Sequence, residues 1–255
     1  MTDFGTGDSY AGIIKGVIAR IAPQTPILDL THEIPPYNIL HGAFTLAQAY
    51  RFFPEGSIFV SVVDPGVGSS RKPILAKTGH FSFIAPDNGL LTMVLHRESE
   101  HQLFCLDNPH YHLPKLSGTF HARDIFAPVA AHLANGTTLS ELGSPLQEYF
   151  RLLQCFPRLK NGRIMGHVVA IDRFGNCMTN LERSWVESHL GGRTPVLKLK
   201  GKKKTVNRWV NHYSEGPKGV PLLLWASSGF LEIAFRESNA AKSLKWQTGQ
   251  EVWIE

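Results

Sequence analysis

The run Ile58-Phe59-Val60-Ser61-Val62-Val63 is β-branched and apolar on both faces, and it stops at Asp64-Pro65-Gly66. A strand apolar on both sides needs cover on both sides, the condition of a buried strand in a layered α/β sheet. Asp64 then emerges at the carboxyl end of that strand, where open α/β sheets expose their chemistry, and Pro65-Gly66 turns the chain away. DPGVGSSR ends on Arg71, and a second junction, TFHARD from Thr119 to Asp124, offers His121. A carboxylate, a guanidinium and an imidazole at such junctions point to an enzyme.

The first part of the chain alternates helical and strand signals. Ser9 stands where it can cap a helix whose apolar residues Ile13, Ile14, Val17, Ile18 and Ile21 share a face, with Pro23 beyond its end. Ile27 to Thr31 reads as a strand, Asn38 to Phe52 as a second helix, and Pro73 to Lys77 and Phe81 to Ile84 as further strands. Arg123 to Leu133 reads as a third helix. Such alternation predicts an α/β fold, a layered domain over 1–150 with a mostly parallel central sheet. Arg158 to Arg163 is polar and turn-like, so 151–164 reads as a linker. Short β-rich runs follow, at Gly166 to Ile171, Val196 to Leu199, Thr205 to Val210, Leu222 to Trp225, Phe230 to Phe235 and Glu251 to Ile254. They predict a small antiparallel β-barrel over 165–255.

Composition narrows the class. With 43% hydrophobic and 18% charged residues, the chain can bury a sizeable core. No apolar run is long enough for a bilayer, and MTDFGTGDSY lacks a secretory pattern, so no membrane partner is expected. Cys105, Cys155 and Cys177 are odd in number without CxxC spacing, which favours a reducing cytoplasm over disulfides or a zinc knuckle. The net charge of +5 owes much to KLKGKKK, Lys198 to Lys204, which reads as a solvated hairpin turning at Gly201. Aromatics that stack bases are missing there, so no nucleic-acid partner is expected.

Taken singly, each candidate has a plainer role: Asp64 as a turn acid, His121 as a hydrogen-bonded structural histidine, Arg71 as a surface cation. Their joint occurrence favours chemistry. Asp3 and Asp8 sit in the Gly-rich TDFGTGDS, where two acids repel phosphate and favour hydroxyls or a cation. GxxxxGK[ST] and GxGxxG are absent, leaving nucleotide triphosphates and dinucleotides without motif support, and no HxxxH favours a metal. Asp172-Arg173-Phe174-Gly175-Asn176 ends an apolar run and is either a plain turn or an aromatic-plus-amide contact for a planar heterocycle. Ser227-Ser228-Gly229 and Ser238-Asn239-Ala240 offer small polar groups at similar junctions.

TDFGTGDSYAGIIKG, DLTHEIPP, FFPEGSIFVSVVDPGVGSSR, APDNGLL, TFHARDIFAPVAAHLA, IDRFGNCMTN and SSGFLEIAFRESNAA together resemble the S-adenosyl-L-methionine (SAM) hydrolases, or SAM hydroxide adenosyltransferases, relatives of the fluorinases and chlorinases. The resemblance implies an N-terminal α/β domain, a C-terminal β-barrel, and a homotrimer with sites between subunits. It implies no cofactor and no metal. Asp64, Arg71 and His121 correspond to the water-handling trio, Asp3 to the ribose contact, and Asp8 with Ser9 to the methionine end. Tyr37 and Phe120 correspond to aromatics near the sugar. From the neighbouring subunit, Asp172 and Asn176 correspond to ligands, Phe174 to an adenine contact, Ser227 to the methionine carboxylate contact, and Asn239 with Ala240 to backbone adenine contacts. Two positions depart from the pattern. An apolar strand usually precedes TDFG, where this sequence has Met1, and Gly often stands at Ala122, which puts a methyl group beside His121.

The implied reaction is hydrolysis of SAM to adenosine and L-methionine by in-line attack of water on ribose C5′. Methionine leaves as a neutral thioether, so the leaving group needs no acid, and positioning a water contributes more than proton abstraction by a weakly basic carboxylate. Halide transfer is the nearest alternative. A carboxylate about 4 Å from an anion costs on the order of 4 kcal/mol at an effective dielectric of 20, which favours water. A non-catalytic adenosine- or SAM-binding protein, and a metal-dependent hydrolase using Asp64, His121 and Asp124, are the other readings.

Overall fold

The computed structural model describes residues 1–190, 196–199 and 205–254. These divide into two compact units, Met1–Leu152 and Leu153–Glu255. In the first unit the elements are α1 (Tyr10–Ile21), α2 (Ile39–Ala49), β1 (Ile58–Val60), β2 (Pro73–Thr78), β3 (Ser82–Pro86), α3 (Thr92–Arg97), β4 (His101–Cys105), α4 (Ala127–Ala134), α5 (Leu139–Leu142) and β5 (Ser144–Leu146).

The five strands run in the order β1-β3-β2-β4-β5. Parallel pairing sits at one edge, between β1 and β3 and in the bridge from Thr2 to Val62. The rest of the sheet is antiparallel, because β2 returns directly into β3 through a tight turn, which only antiparallel neighbours allow. Adjacent strand residues point to opposite faces. Ile84 packs into a core with Ile14 and Ile18 of α1 and Val129 and Ala130 of α4. Phe83 meets Tyr50, just beyond α2, with ring centroids 5.6 Å apart. Helices therefore cover both faces, as a strand apolar on both sides requires, and the layered α/β reading holds.

Three local expectations change. Ile27 to Thr31 is not a strand. Side chains hold it instead: Asp29 takes Lys15 Nζ at 2.6 Å and His32 Nε2 at 3.1 Å, while Leu28 is 70% exposed. Ser9 precedes α1 with helical backbone angles and its side chain makes no capping bond, since a side-chain cap needs the extended conformation. The third helix opens with a π-helical turn, Ala122–Phe126, before α4. The second helix starts as expected, with the Asn38 side chain accepting from His41 N at 2.9 Å. Met1 and Thr2 anchor the segment bearing Asp3: Val62 N donates to Met1 O at 2.9 Å and Thr2 N to Thr31 O at 3.1 Å. Ala122 is buried in the α1/α4 core, so its methyl packs inward.

The second unit comprises β6 (Arg158–Lys160), β7 (Arg163–Ile171), β8 (Cys177–Glu182), α6 (Arg183–Leu190), β9 (Leu197–Leu199), β10 (Thr205–Val206), β11 (Pro221–Trp225), β12 (Phe230–Phe235), α7 (Ala240–Leu244) and β13 (Glu251–Ile254). Its strands pair antiparallel in the order β10-β9-β13-β7-β8-β12-β11, with β6 on β7. The polar stretch at 158–163 forms the β6–β7 hairpin, whose turn residues Asn161 and Gly162 have φ of 51° and 71°, the sign such two-residue turns demand. The two ends of the sheet meet where Leu223 of β11 bonds Arg208 O at 2.8 Å and Val210 N at 3.0 Å, just past β10. A nearly closed antiparallel barrel results, filled by Val168, Leu181, Leu223, Leu231, Ile233 and Val252. The turn expected at Gly201 lies outside the described residues. Among the described residues no helix is long and apolar enough to cross a membrane.

Gly143 precedes β5 where a Cβ would lie 1.8 Å from Cys105 O on the neighbouring strand. Gly143→Ala is expected to lower unfolding free energy by about 1–3 kcal/mol, the usual range for overpacking, read as a shift in the urea midpoint. An unmoved midpoint would show that this approach is not tight.

Candidate active site

Asp64 leaves the sheet just after Val63, whose carbonyl is pinned by Asn88 Nδ2 at 2.8 Å. The following loop folds on itself through Val67 N to Asp64 O at 3.2 Å and Ser69 N to Gly66 O at 3.1 Å. Gly68 has a φ of 80°, and a Cβ there would stand 2.3 Å from Gly118 O, so only glycine lets the two loops meet. The folded loop brings Arg71 back over Asp64.

Arg71 forks onto the carboxylate, Nε to Oδ1 at 3.1 Å and Nη2 to Oδ2 at 2.5 Å. Both side chains are buried, 9% and 5% exposed. Arg71 Nη2 also lies 2.9 Å from His121 Nδ1. A guanidinium only donates, so Nδ1 is the accepting nitrogen and the imidazole proton sits on Nε2. Burial, then the Arg71 charge, pushes the His121 pKa below its ordinary value, against the opposing pull of Asp64 and Asp124. His121 is accordingly neutral at pH 7, with a donor on Nε2. Arg71 Nη1 is buried and has no hydrogen-bond partner within the protein.

The remaining candidates fall into two groups. In the first unit, Asp3 Oδ2 accepts from Tyr37 N at 2.8 Å and holds that residue at a φ of 65°. A left-handed, 74% exposed tyrosine is strained by roughly 1–3 kcal/mol, the kind of cost found at functional sites. Asp8 and Ser9 are exposed at the start of α1. Phe120 joins this segment to His121: it packs edge-on against Phe4 at 5.9 Å and Tyr10 at 5.2 Å. In the second unit, Asp172 accepts from Asn176 N at 2.8 Å and Nδ2 at 3.0 Å, closing a turn that leaves Phe174 75% exposed. Asn239 caps α7 through Lys242 N at 2.7 Å. Ala241 N donates to Gly175 O at 2.9 Å, and a Cβ on Gly175 would reach Asn239 Cγ at 2.0 Å, so Asn239 and Ala240 abut the Asp172–Asn176 turn. Ser227 is exposed in the β11–β12 turn.

Sequence reasoning missed Asn88 and Tyr10. Asn88 lies in the APDNGLL block, and an amide two residues after a strand-ending Pro86 is the signal that could have found it. Tyr10 directly follows Asp8-Ser9.

An α/β unit with a carboxylate–guanidinium–imidazole cluster at a strand end, its ion pair buried, together with an antiparallel β-barrel unit, is the class that fold and site define. The SAM hydroxide adenosyltransferase N-terminal domain profile matches residues 1–143, and the C-terminal domain profile matches residues 166–253. The chain is 35% identical to an (R)-S-adenosyl-L-methionine hydrolase of Thermus thermophilus, across 99% of this chain and 96% of that protein. It is 36% identical to an (R)-S-adenosyl-L-methionine hydrolase of Methanocaldococcus jannaschii, across 99% and 93%. A crystal structure of an uncharacterized conserved protein from Thermotoga maritima superposes with a TM-score of 0.89 at 35% identity, covering 99% of this chain and 97% of that one. The chain belongs to the SAM hydroxide adenosyltransferase family.

Removing the Arg71 charge lifts the second cause of the depressed imidazole pKa. In Arg71→Gln, the His121 titration followed by NMR is expected to move to higher pH. An unmoved titration would contradict the contact between the two side chains.

Proposed function

We propose that the chain hydrolyses SAM to adenosine and L-methionine. The observation that carries this reading is the Asp64–Arg71–His121 cluster, an ion pair and a neutral imidazole joined through one guanidinium nitrogen. A water lying behind ribose C5′ donates to Asp64 and accepts from His121 Nε2. The new O–C5′ bond forms as the C5′–S bond breaks, and the electron pair of that bond goes to sulfur, which leaves as a neutral thioether. The water's proton passes to Asp64 and then to solvent. Arg71 holds the carboxylate at one angle, so the main contribution is placement of the nucleophile.

Asp3 takes the ribose hydroxyls, Asp8 and Ser9 the methionine end, and Tyr37 and Phe120 flank the sugar. The chain assembles as a homotrimer, and a neighbouring subunit supplies Phe174, Asn239 and Ala240 to the adenine, Asp172 and Asn176 as further ligands, and Ser227 to the methionine carboxylate. The exposed Phe174 ring and the tight turn behind it support a planar-heterocycle contact. No cofactor takes part. Cys155 and Cys177 are free thiols whose pKa values burial pushes up to about 12, in keeping with a cytoplasmic protein.

Incubating the protein with SAM in chloride buffer, followed by chromatography, is expected to yield adenosine and L-methionine. Intact SAM, or 5′-chloro-5′-deoxyadenosine as the main product, would overturn the reading. Asp64→Asn, which keeps the shape, and Asp64→Ala are expected to lose roughly 10²- to 10⁴-fold in turnover, with adenosine affinity near normal. Wild-type turnover in both would remove Asp64 from the reaction. For the assembly, sedimentation is expected to report a trimer. Mixing subunits inactivated at Asp64 with subunits carrying Phe174→Ala should restore activity neither has alone, and failure of that rescue would count against shared sites.

A further inference from the structure

Asp124 is fully buried and takes no part in the displacement proposed above. Its carboxylate accepts three hydrogen bonds: Arg123 Nε at 2.5 Å, Arg123 Nη2 at 3.0 Å and Ser117 N at 2.6 Å. A fork between consecutive residues is unusual, since neighbouring side chains on a regular α-helix do not face each other. Here both residues lie in the π-helical turn Ala122–Phe126, directly after His121, and such widened turns recur at functional sites.

The two ends of the network reach two neighbours of the cluster. On one side, the pairing holds the Arg123 guanidinium 5.2 Å from the centre of the Phe120 ring, which in turn packs on Phe4 and Tyr10. On the other, the bond to Ser117 fixes the turn that carries Gly118, whose carbonyl presses on Gly68 in the loop between Asp64 and Arg71. Ser117 Oγ and Thr119 Oγ1, 3.1 Å apart, stiffen that turn. We propose that Asp124 is a positioning residue whose buried carboxylate locks the Phe120–His121 segment and the Asp64–Arg71 loop into one arrangement. The inference deepens the hydrolase reading and rests on it.

A purely structural role would cost stability alone, whereas a charge beside the imidazole also acts through the field. Arg71, Asp64, Asp124 and the half-buried His112 are the charged or titratable groups that act on His121, and of these Asp124 and Asp64 favour its protonated form. Asp124→Asn keeps the volume and an acceptor for Ser117 N but removes the charge. Its kcat is expected to fall about 10- to 100-fold with KM changed by a few-fold, as for a small misplacement of reacting groups. Its His121 titration, followed by NMR without any turnover, is expected to move to lower pH. Arg123→Lys keeps the charge but cannot fork, and it serves if Asp124→Asn does not fold; about a 10-fold loss in kcat is expected. The inference is overturned by a folded Asp124→Asn protein with wild-type kcat, by one whose His121 titration has not moved, or by wild-type kcat in Arg123→Lys. A wild-type protein that leaves SAM intact would instead sink the hydrolase reading, and the imidazole titration would still decide the role of Asp124.

Discussion

The fork between Arg71 and Asp64 is the contact on which the rest of the site depends. Two charges with about a tenth or less of their side chains in solvent have lost most of their hydration, and their attraction offsets that loss only when geometry is good and other donors are satisfied. The two parallel bonds supply the geometry. The loop between them supplies the approach, because Gly68, at a φ of 80°, lets its six residues double back. The same guanidinium then dictates the state of His121, since a group that can only donate leaves the imidazole one accepting nitrogen on that side. One arginine thus fixes the direction of a carboxylate and the tautomer of a histidine.

The fold explains why these groups converge. Asp64 needs a rigid strand end, and the parallel edge provides it, clamped by Asn88 on the Val63 carbonyl and by Met1 and Thr2 beside Val62. His121 needs a helix start that brings its ring to Arg71, and the π-helical turn before α4 provides that while Ile125 and Phe126 anchor it in the core. The Arg71 guanidinium also stands 5.3 Å from the centre of the Phe126 ring, so the residue that seats the turn lies beside the arginine as well. Packing and chemistry share the same side chains here.

Much of this was legible in the sequence. The doubly apolar run before Asp64 announced a strand covered on both sides, and regular short β runs announced the antiparallel second unit. The three charged and titratable residues were legible only jointly, because each alone has a structural use. What stayed hidden depends on contacts that spacing does not encode. Ile27 to Thr31 has strand composition, yet Lys15 and His32 hold it through Asp29, a side-chain arrangement without sequence period. Ser9 occupies a capping position but not a capping conformation. The tautomer of His121, the strained backbone of Tyr37 and the fork from Arg123 to Asp124 all arise from tertiary placement and leave no local signature.

The proposed reaction turns on a carboxylate oxygen of Asp64 facing the atom that attacks C5′. A crystal structure with adenosine bound tests this most directly, because the 5′-hydroxyl oxygen marks where that atom ends. The account predicts an Asp64 carboxylate oxygen within about 2.6–3.2 Å of it, with Arg71 still forked behind. A 5′-hydroxyl well beyond hydrogen-bonding reach of Asp64, or a carboxylate turned away from the sugar, would contradict it.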